Sequence, residues 1–303
     1  MICSAEGAIN EHIFIGGHNI YPGYIIRGGN KNMMIEAGIT IMGPRYIQAI
    51  EDFLGEKDSL DYLFVTQSHY DHLGAVSYLK HNIPSVQFGA FGRVADILQR
   101  DSIIKNMNFL SRQLNEYFKD IITDDEENIR IMSEQLDITL KEGDIFDLGI
   151  MSCEVYETPG HTKDHLSFYL PEMGVLFPGE ALGNPAGDGR DVKVEFVSSY
   201  SDYIASIEKL MCLKPKIIAM SHLYYFTDDD AAMFMDKSYA ETMAYRKLIE
   251  QYLHSADGDF DVAKRLMVKT EYDEKGTILM ERNAYIANLG AQIKAIMTLQ
   301  TQT

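Results

Sequence analysis

Gln67-Ser68-His69-Tyr70-Asp71-His72 places two imidazoles and a carboxylate within four residues. The apolar run Leu63-Phe64-Val65-Thr66 precedes it, and a helical pattern starts at Leu73. The stretch is therefore a strand-to-helix turn carrying ligand types that zinc, iron and manganese accept. Asp71 also has a plainer reading as a cap for the following helix, because a carboxylate accepts bonds from free N–H groups there. Gln67 stands out: at the head of the cluster it offers a neutral amide where a third imidazole is expected.

Three more apolar runs end in the same way. Val155-Tyr156-Glu157-Thr158-Pro159-Gly160 delivers His161, Val175-Leu176-Phe177-Pro178-Gly179 delivers Glu180, and Ile217-Ile218-Ala219-Met220-Ser221 delivers His222. Sheets gather chemistry at strand ends, where loops project side chains freely. A lone histidine after a strand is usually a hydrogen-bonded loop residue, and Glu180 alone reads as a surface carboxylate. Four strand ends doing the same thing weaken that reading jointly. If the four strands share one sheet edge, Gln67, His69, Asp71, His72, His161, Glu180 and His222 converge. His165, four residues after His161, is expected to orient that loop, because Leu166-Ser167-Phe168-Tyr169-Leu170 reads as a strand and not a helix. His12, His18, His81 and His254 lie outside the strand ends and read as structural or surface residues.

Composition bounds the rest. With 303 residues, 46% of them hydrophobic and 24% charged, the chain suits one large α/β domain with or without an appendage. A net charge of -18 argues against a nucleic-acid backbone or an anionic membrane as the main partner. Cys3, Cys153 and Cys212 are too few and too scattered for a disulfide framework or a thiolate zinc site. No run of about 18 apolar residues occurs, and no leader pattern opens the chain, so a cytoplasmic protein acting on a small-molecule substrate is expected.

Along the chain, residues 12–38 read as paired strands around the turn chemistry of Arg27-Gly28-Gly29-Asn30-Lys31-Asn32. Residues 45–54 have helical spacing, and a helix runs from the opening motif to about Lys80. Residues 94–122 read as one or two amphipathic helices, ending in the charge run Thr123-Asp124-Asp125-Glu126-Glu127. Near residue 228 the texture changes. Helices are expected at about 229–254, 260–269 and 277–299, the last with Tyr285, Ile286, Leu289, Ile293, Ile296 and Met297 on one stripe. That stripe suits packing on the core or on a second copy in a homodimer. The division is 1–228, with a helical insertion at 94–122, and a helical region at 229–303.

The segments QSHYDH (67–72), TPGHTKDH (158–165), LFPGE (176–180) and MSH (220–222) resemble the spaced motifs of the metallo-β-lactamase superfamily. GGNKNMMIEAG (28–38) and LKEGDIFDLG (140–149) resemble strands of that fold. The resemblance covers about residues 10–226. It implies an α/β protein, an αββα sandwich with an all-helical C-terminal extension and a dinuclear site at one edge of the two sheets. It also implies two divalent ions, zinc first and iron or manganese as alternatives. His69 and His161 would hold one ion with Gln67 in third place, Asp71, His72 and His222 the other, and Glu180 would bridge. Gln67 replaces a family histidine and Glu180 a family aspartate. An amide oxygen is a weaker ligand than imidazole, so the first site should bind less tightly, and Gln67→His should strengthen it.

The chemistry implied is hydrolysis by metal-bound hydroxide, with Asp71 orienting the water or taking its proton. The helical extension resembles glyoxalase II-type thioester hydrolases. A small thioester or ester is the leading substrate, with the 94–122 and C-terminal helices as a lid and Tyr224 and Tyr225 lining the pocket. A phosphodiesterase with the same two ions, and a non-catalytic binding protein on a weakened scaffold, are the alternatives.

Overall fold

The structure is a computed structural model that describes residues 1–115, 117–118, 129–276, 278 and 282–302. Two seven-stranded sheets lie face to face. The first runs, in spatial order, β2 (Gly7–Ala8), β3 (Ile13–His18), β4 (Tyr21–Arg27), β5 (Asn32–Ile35), β6 (Tyr62–Phe64), β7 (Gln87–Phe91) and β8 (Ile138–Leu140). It is antiparallel from β2 to β5 and parallel from β5 to β8. The second runs β1 (Ile2–Ser4), β16 (Tyr224–Thr227), β15 (Ile217–Ala219), β12 (Val175–Phe177), β11 (Leu166–Leu170), β10 (Ser152–Glu157) and β9 (Ile145–Asp147). A hairpin of β13 (Asn184–Ala186) and β14 (Asp191–Lys193) stands apart.

Strand alternation sorts the side chains into layers. Tyr24, Ile26, Met33, Ile35 and Phe64 face inward and meet Cys153, Val155, Phe168, Val175, Phe177 and Ala219 of the other sheet. Their neighbours Ile25, Met34, Leu63 and Val65 face outward, onto α1 (Gly43–Leu54), α3 (Val76–Asn82), α4 (Gly92–Leu98) and α5 (Asp101–Asn115). On the other side Leu176, Ile218 and Phe226 face α6 (Tyr200–Met211), α7 (Asp229–Ser255), α8 (Phe260–Met267) and α9 (Arg282–Gln302). The result is the αββα order with a helical C-terminal region. Leu289, Ile293 and Ile296 of the C-terminal stripe are fully buried in this chain's own core.

Several details differ from the sequence expectation. A glycine pair reads as a strand end, but β3 runs through Gly16-Gly17 to His18. Both glycines lie under α1: a Cβ on Gly16 would meet Ala49 Cβ at 2.7 Å, and one on Gly17 would meet Tyr46 Cε1 at 2.4 Å. They mark close packing of helix on strand, not a strand end. The helix after the opening motif is two helices, α2 (Tyr70–Leu73) and α3, broken because Gly74 N–H donates to Gly38 O and Ala75 N–H to Ala37 O. The four ligand-bearing strands do not share one sheet. β6 belongs to the first and β10, β12 and β15 to the second, so the common edge is the rim of the sandwich. The expected helical residues 116 and 119–122, the charge run 123–127, and the 277 and 279–281 part of the last helix lie outside the described residues. Among the described residues no helix is long and apolar enough to cross a membrane.

Candidate metal centre

Every strand-end candidate reaches the same rim. His69 starts the turn into α2, with extended backbone (φ -69°, ψ 146°), and α2 carries Asp71 and His72. His161 follows the Gly160 turn after β10, Glu180 the Gly179 turn after β12, and His222 follows β15. Two groups of donor atoms result, His69–His161–Glu180 and Asp71–His72–His222, each with its atoms within 4.8 Å of one another. Glu180 touches both. Its Oε2 lies 2.6 Å from His161 Nε2 and 3.5 Å from His72 Nε2, while Oε1 lies 3.8 Å from His222 Nε2.

Hydrogen bonds behind the rings fix which nitrogen faces the centre. His161 Nδ1 donates to Glu195 O at 2.5 Å, and His222 Nδ1 donates to Ile20 O at 2.6 Å. His72 Nδ1 lies 3.1 Å from Glu36 Oε1. In each case Nε2 is left to face the other donors. A tether on the far nitrogen is what a metal-binding imidazole requires. His72 Nε2 and Gln67 Oε1 are buried and have no hydrogen-bond partner among the described residues. Unpaired buried polar atoms are costly, and His72 Nε2 is itself one of the six convergent donors, which fits a site built around cations.

Electrostatics agree. Burial, then the neighbouring His161, pushes His69 down to about 4. Burial opposes charge on His72, but Glu36, Asp71 and Glu180 hold its pKa well above the usual value. Burial likewise disfavours an ionised Glu180, yet His161 and His72 hold its carboxyl well below the usual range. In the metal-free protein, protons on imidazoles offset the carboxylates, and an incoming ion displaces them.

His165 is buried and neutral, its pKa lowered by burial and then by His161. Its Nδ1 pairs with Thr158 Oγ1 at 2.8 Å, and Nε2 accepts the Glu180 backbone N–H at 3.0 Å. It thus fixes the loop that carries Glu180, as well as its own. Tyr224 and Tyr225 are engaged elsewhere. The Tyr224 hydroxyl donates to Gly187 O, and Tyr225 faces Cys3 across the β1–β16 ladder. Tyr21 stands edge-on to His222 at 5.8 Å, with Phe118 edge-on behind it at 5.8 Å.

Glu36, Asp164 and Glu195 are buried residues of the centre that sequence reading missed. Asp164 Oδ2 accepts the Ser68 N–H at 3.0 Å and so pins the opening motif to the His161 loop. The Glu195 carboxylate takes Lys193 Nζ at 2.5 Å, while its carbonyl takes His161.

The C-terminal helices grip this edge from behind. Gln292 Nε2 on α9 donates to Val194 O at 2.9 Å, and its Oε1 accepts Tyr245 O–H from α7 at 3.1 Å. Ser238 Oγ on α7 donates to Leu182 O at 2.7 Å. Gln292→Leu should therefore cost about 1–2 kcal/mol in denaturant unfolding. It should also weaken ion binding at the His161 group more than at the His222 group.

Comparison with known proteins places this arrangement. Residues 20–222 match the family model described as the metallo-beta-lactamase superfamily. The metallo-beta-lactamase fold-containing protein ST1585 of Sulfurisphaera tokodaii is 25% identical over 203 residues, 66% of this chain and 71% of that protein. The hydroxyacylglutathione hydrolase of Idiomarina loihiensis is 25% identical over 248 residues, 79% of each chain. The solved structure of the metallo-beta-lactamase family protein TTHA1429 from Thermus thermophilus matches with a TM-score of 0.64 at 16% identity, over 95% of this chain and 94% of that one. A match that runs through all four strand ends to His222, on a sandwich whose rim gathers them, shows that this chain belongs to the metallo-beta-lactamase superfamily.

Proposed function

We propose that the protein is a hydrolase that binds two divalent ions, zinc foremost, and cleaves a small thioester or ester. The observation that carries this reading is the pair of adjacent donor groups joined by Glu180. The preference for a thioester draws on the hydroxyacylglutathione hydrolase relative, which is similar over 79% of both chains.

His69, His161 and Glu180 would hold the first ion, and Asp71, His72 and His222 the second. Bound divalent ions supply Lewis acidity and lower the pKa of a water to about 7. The chain supplies the rest. Asp71 is the most exposed carboxylate of the two groups, its side chain a quarter accessible, and is placed to accept the proton of the attacking water. Tyr21 and Phe118 form an aromatic wall beside His222, suited to the apolar part of an acyl group. No thiol competes as nucleophile at the centre: Cys153 lies in the sandwich core, and burial pushes its pKa up.

The test is turnover of the ion-loaded protein on an acyl-glutathione thioester, a lactone and a bis-nitrophenyl phosphate in parallel. Thioester or ester kcat/KM should exceed the phosphodiester value at least tenfold, and His161→Ala should lower it by three orders of magnitude. A preference for the phosphodiester would move the assignment to a phosphodiesterase. No turnover on any of the three would favour a non-catalytic role.

A further inference from the structure

Gln67 occupies the position where an imidazole was expected to ligate, and its bonding points elsewhere. The side chain is fully buried. Its amide Nε2 donates to Glu180 Oε2 at 2.7 Å. The same oxygen lies 2.6 Å from His161 Nε2. The amide orientation is not arbitrary, because a carboxylate oxygen can only accept, so it must face the NH2 group and not the amide oxygen. The other carboxylate oxygen, Glu180 Oε1, accepts from Asn184 Nδ2. Behind the carboxylate, the Glu180 backbone N–H donates to His165 and its carbonyl accepts from the Tyr203 hydroxyl at 3.0 Å. Glu180 is thus held at both oxygens and along its backbone, with Gln67 supplying the hold on the side nearest His161.

We infer that Gln67 and Glu180 form one matched unit, in which Gln67 positions the longer carboxylate between the two donor groups and does not stand in as a weakened ligand. Two amide donors, from Gln67 and Asn184, clamp the two oxygens of one flexible side chain. A glutamate has one more rotatable bond than an aspartate, and fixing it costs rotamer freedom. Neutral donors that cannot be lost by titration suit that task. An imidazole at 67 would present a ring nitrogen into the space where Glu180 Oε2 now lies. That nitrogen has room to act as a ligand only if the carboxylate withdraws by about one methylene. An aspartate at 180 would in turn retreat from the Gln67 amide and leave it unpaired. Each single change therefore disrupts the unit, and the two changes together suit each other.

This inference rests on the metal-centre reading, and a double-mutant cycle on ion affinity tests it without relying on turnover. Cobalt(II) is titrated into the wild type, Gln67→His, Glu180→Asp and the double variant. Ligand-field absorption and equilibrium dialysis give the affinity of each ion, and circular dichroism confirms that each variant is folded. Both single variants should bind the first ion at least tenfold more weakly than the wild type. The double variant should recover at least tenfold relative to the product of the two single effects. Gln67→Leu, which removes the donor without adding a ligand, should weaken the first ion as the histidine does. If Gln67→His alone tightens the first ion, or if the single effects multiply without coupling, the pairing is overturned while the metal centre stands. If the wild type binds no cobalt(II) or zinc(II), the metal-centre reading falls and the pairing with it.

Discussion

Replacing Glu36 by alanine is expected to unfold much of the centre from behind, at a cost of about 3–5 kcal/mol. Glu36 follows β5 with a left-handed backbone (φ 71°), and its N–H donates to Phe64 O at 2.9 Å. That unusual turn aims the carboxylate into the interior, where it is 3% exposed. One oxygen then gathers three donors from the segments that follow β6 and β15. Oε1 accepts Thr66 Oγ1 at 2.6 Å, Ser221 Oγ at 3.0 Å and His72 Nδ1 at 3.1 Å. Thr66 leads into the opening motif, and Ser221 precedes His222. Alanine removes the acceptor that all three share, leaving His72 Nδ1 only a 3.4 Å contact with Thr66 Oγ1, and it loosens the His72 ring. The ion of the Asp71–His72–His222 group should therefore be lost, while the His161 group keeps most of its affinity. Glu36→Gln retains one acceptor oxygen and should cost only about 1–2 kcal/mol. Denaturant unfolding and metal content per chain measure both effects. A second-site affinity within twofold of wild type in Glu36→Ala would show that His72 is held by other means.

The same pair makes the metal-free protein sensitive to pH. Burial lowers the His72 pKa, but Glu36, Asp71 and Glu180 outweigh it and raise the folded-state value well above 6.5. Stability gained from that imidazolium is full below pH 6.5 and is lost as pH rises through the raised value. The metal-free wild type should therefore weaken on going alkaline in urea unfolding series. Glu36→Ala should flatten that slope.

Glu36 also shows how far the sequence could be read. The strand-end pattern that singled out His161, Glu180 and His222 applies equally to Met33-Met34-Ile35 followed by Glu36. Before Ala37-Gly38, however, a glutamate also suits a plain strand end, so the pattern alone does not single it out. The ligand types and their strand ends were legible because they sit at fixed offsets from apolar runs. The sheet to which each strand belongs was not, because β6, β12 and β15 are three-residue strands whose partners are set by long-range pairing. The β13–β14 hairpin was missed for a similar reason. Asn184-Pro185-Ala186 has no strand signal of its own, and the hairpin is held by Lys237 on Asp191 and by Gln292 on Val194 O. Gln67 was legible as a departure, but its bond to Glu180 depends on two segments meeting from opposite sheets.

Gly160→Ala should damage the protein far more than its size suggests. Gly160 lies at φ +134°, a region that side chains rarely adopt, and a Cβ there would lie 2.3 Å from Tyr203 Cα and 2.4 Å from Tyr203 N. Those are backbone atoms of α6, so no rotamer change can make room. The loop cannot simply lift away either. Gly160 O accepts the N–H groups of Val197 and Ser198 at 3.2 and 2.9 Å and the Ser198 hydroxyl at 3.0 Å, while Ser206 Oγ donates to Pro159 O at 2.7 Å. Backbone strain of about 1–3 kcal/mol adds to overpacking of about 1–3 kcal/mol, before the loss of these bonds. A total of roughly 4 kcal/mol or more is expected. His161 is the next residue, and its tether to Glu195 O depends on this docking. The ion of the His69–His161–Glu180 group should be lost first, with the His222 group less affected. Gly143→Ala separates strain from collision: it has positive φ (+82°) but nothing within 4 Å of the added Cβ, so it should cost only about 1 kcal/mol. Urea unfolding and cobalt(II) titration of the two variants decide the matter. If Gly160→Ala costs no more than Gly143→Ala and keeps the first ion, the contact with α6 does not hold the His161 loop in place.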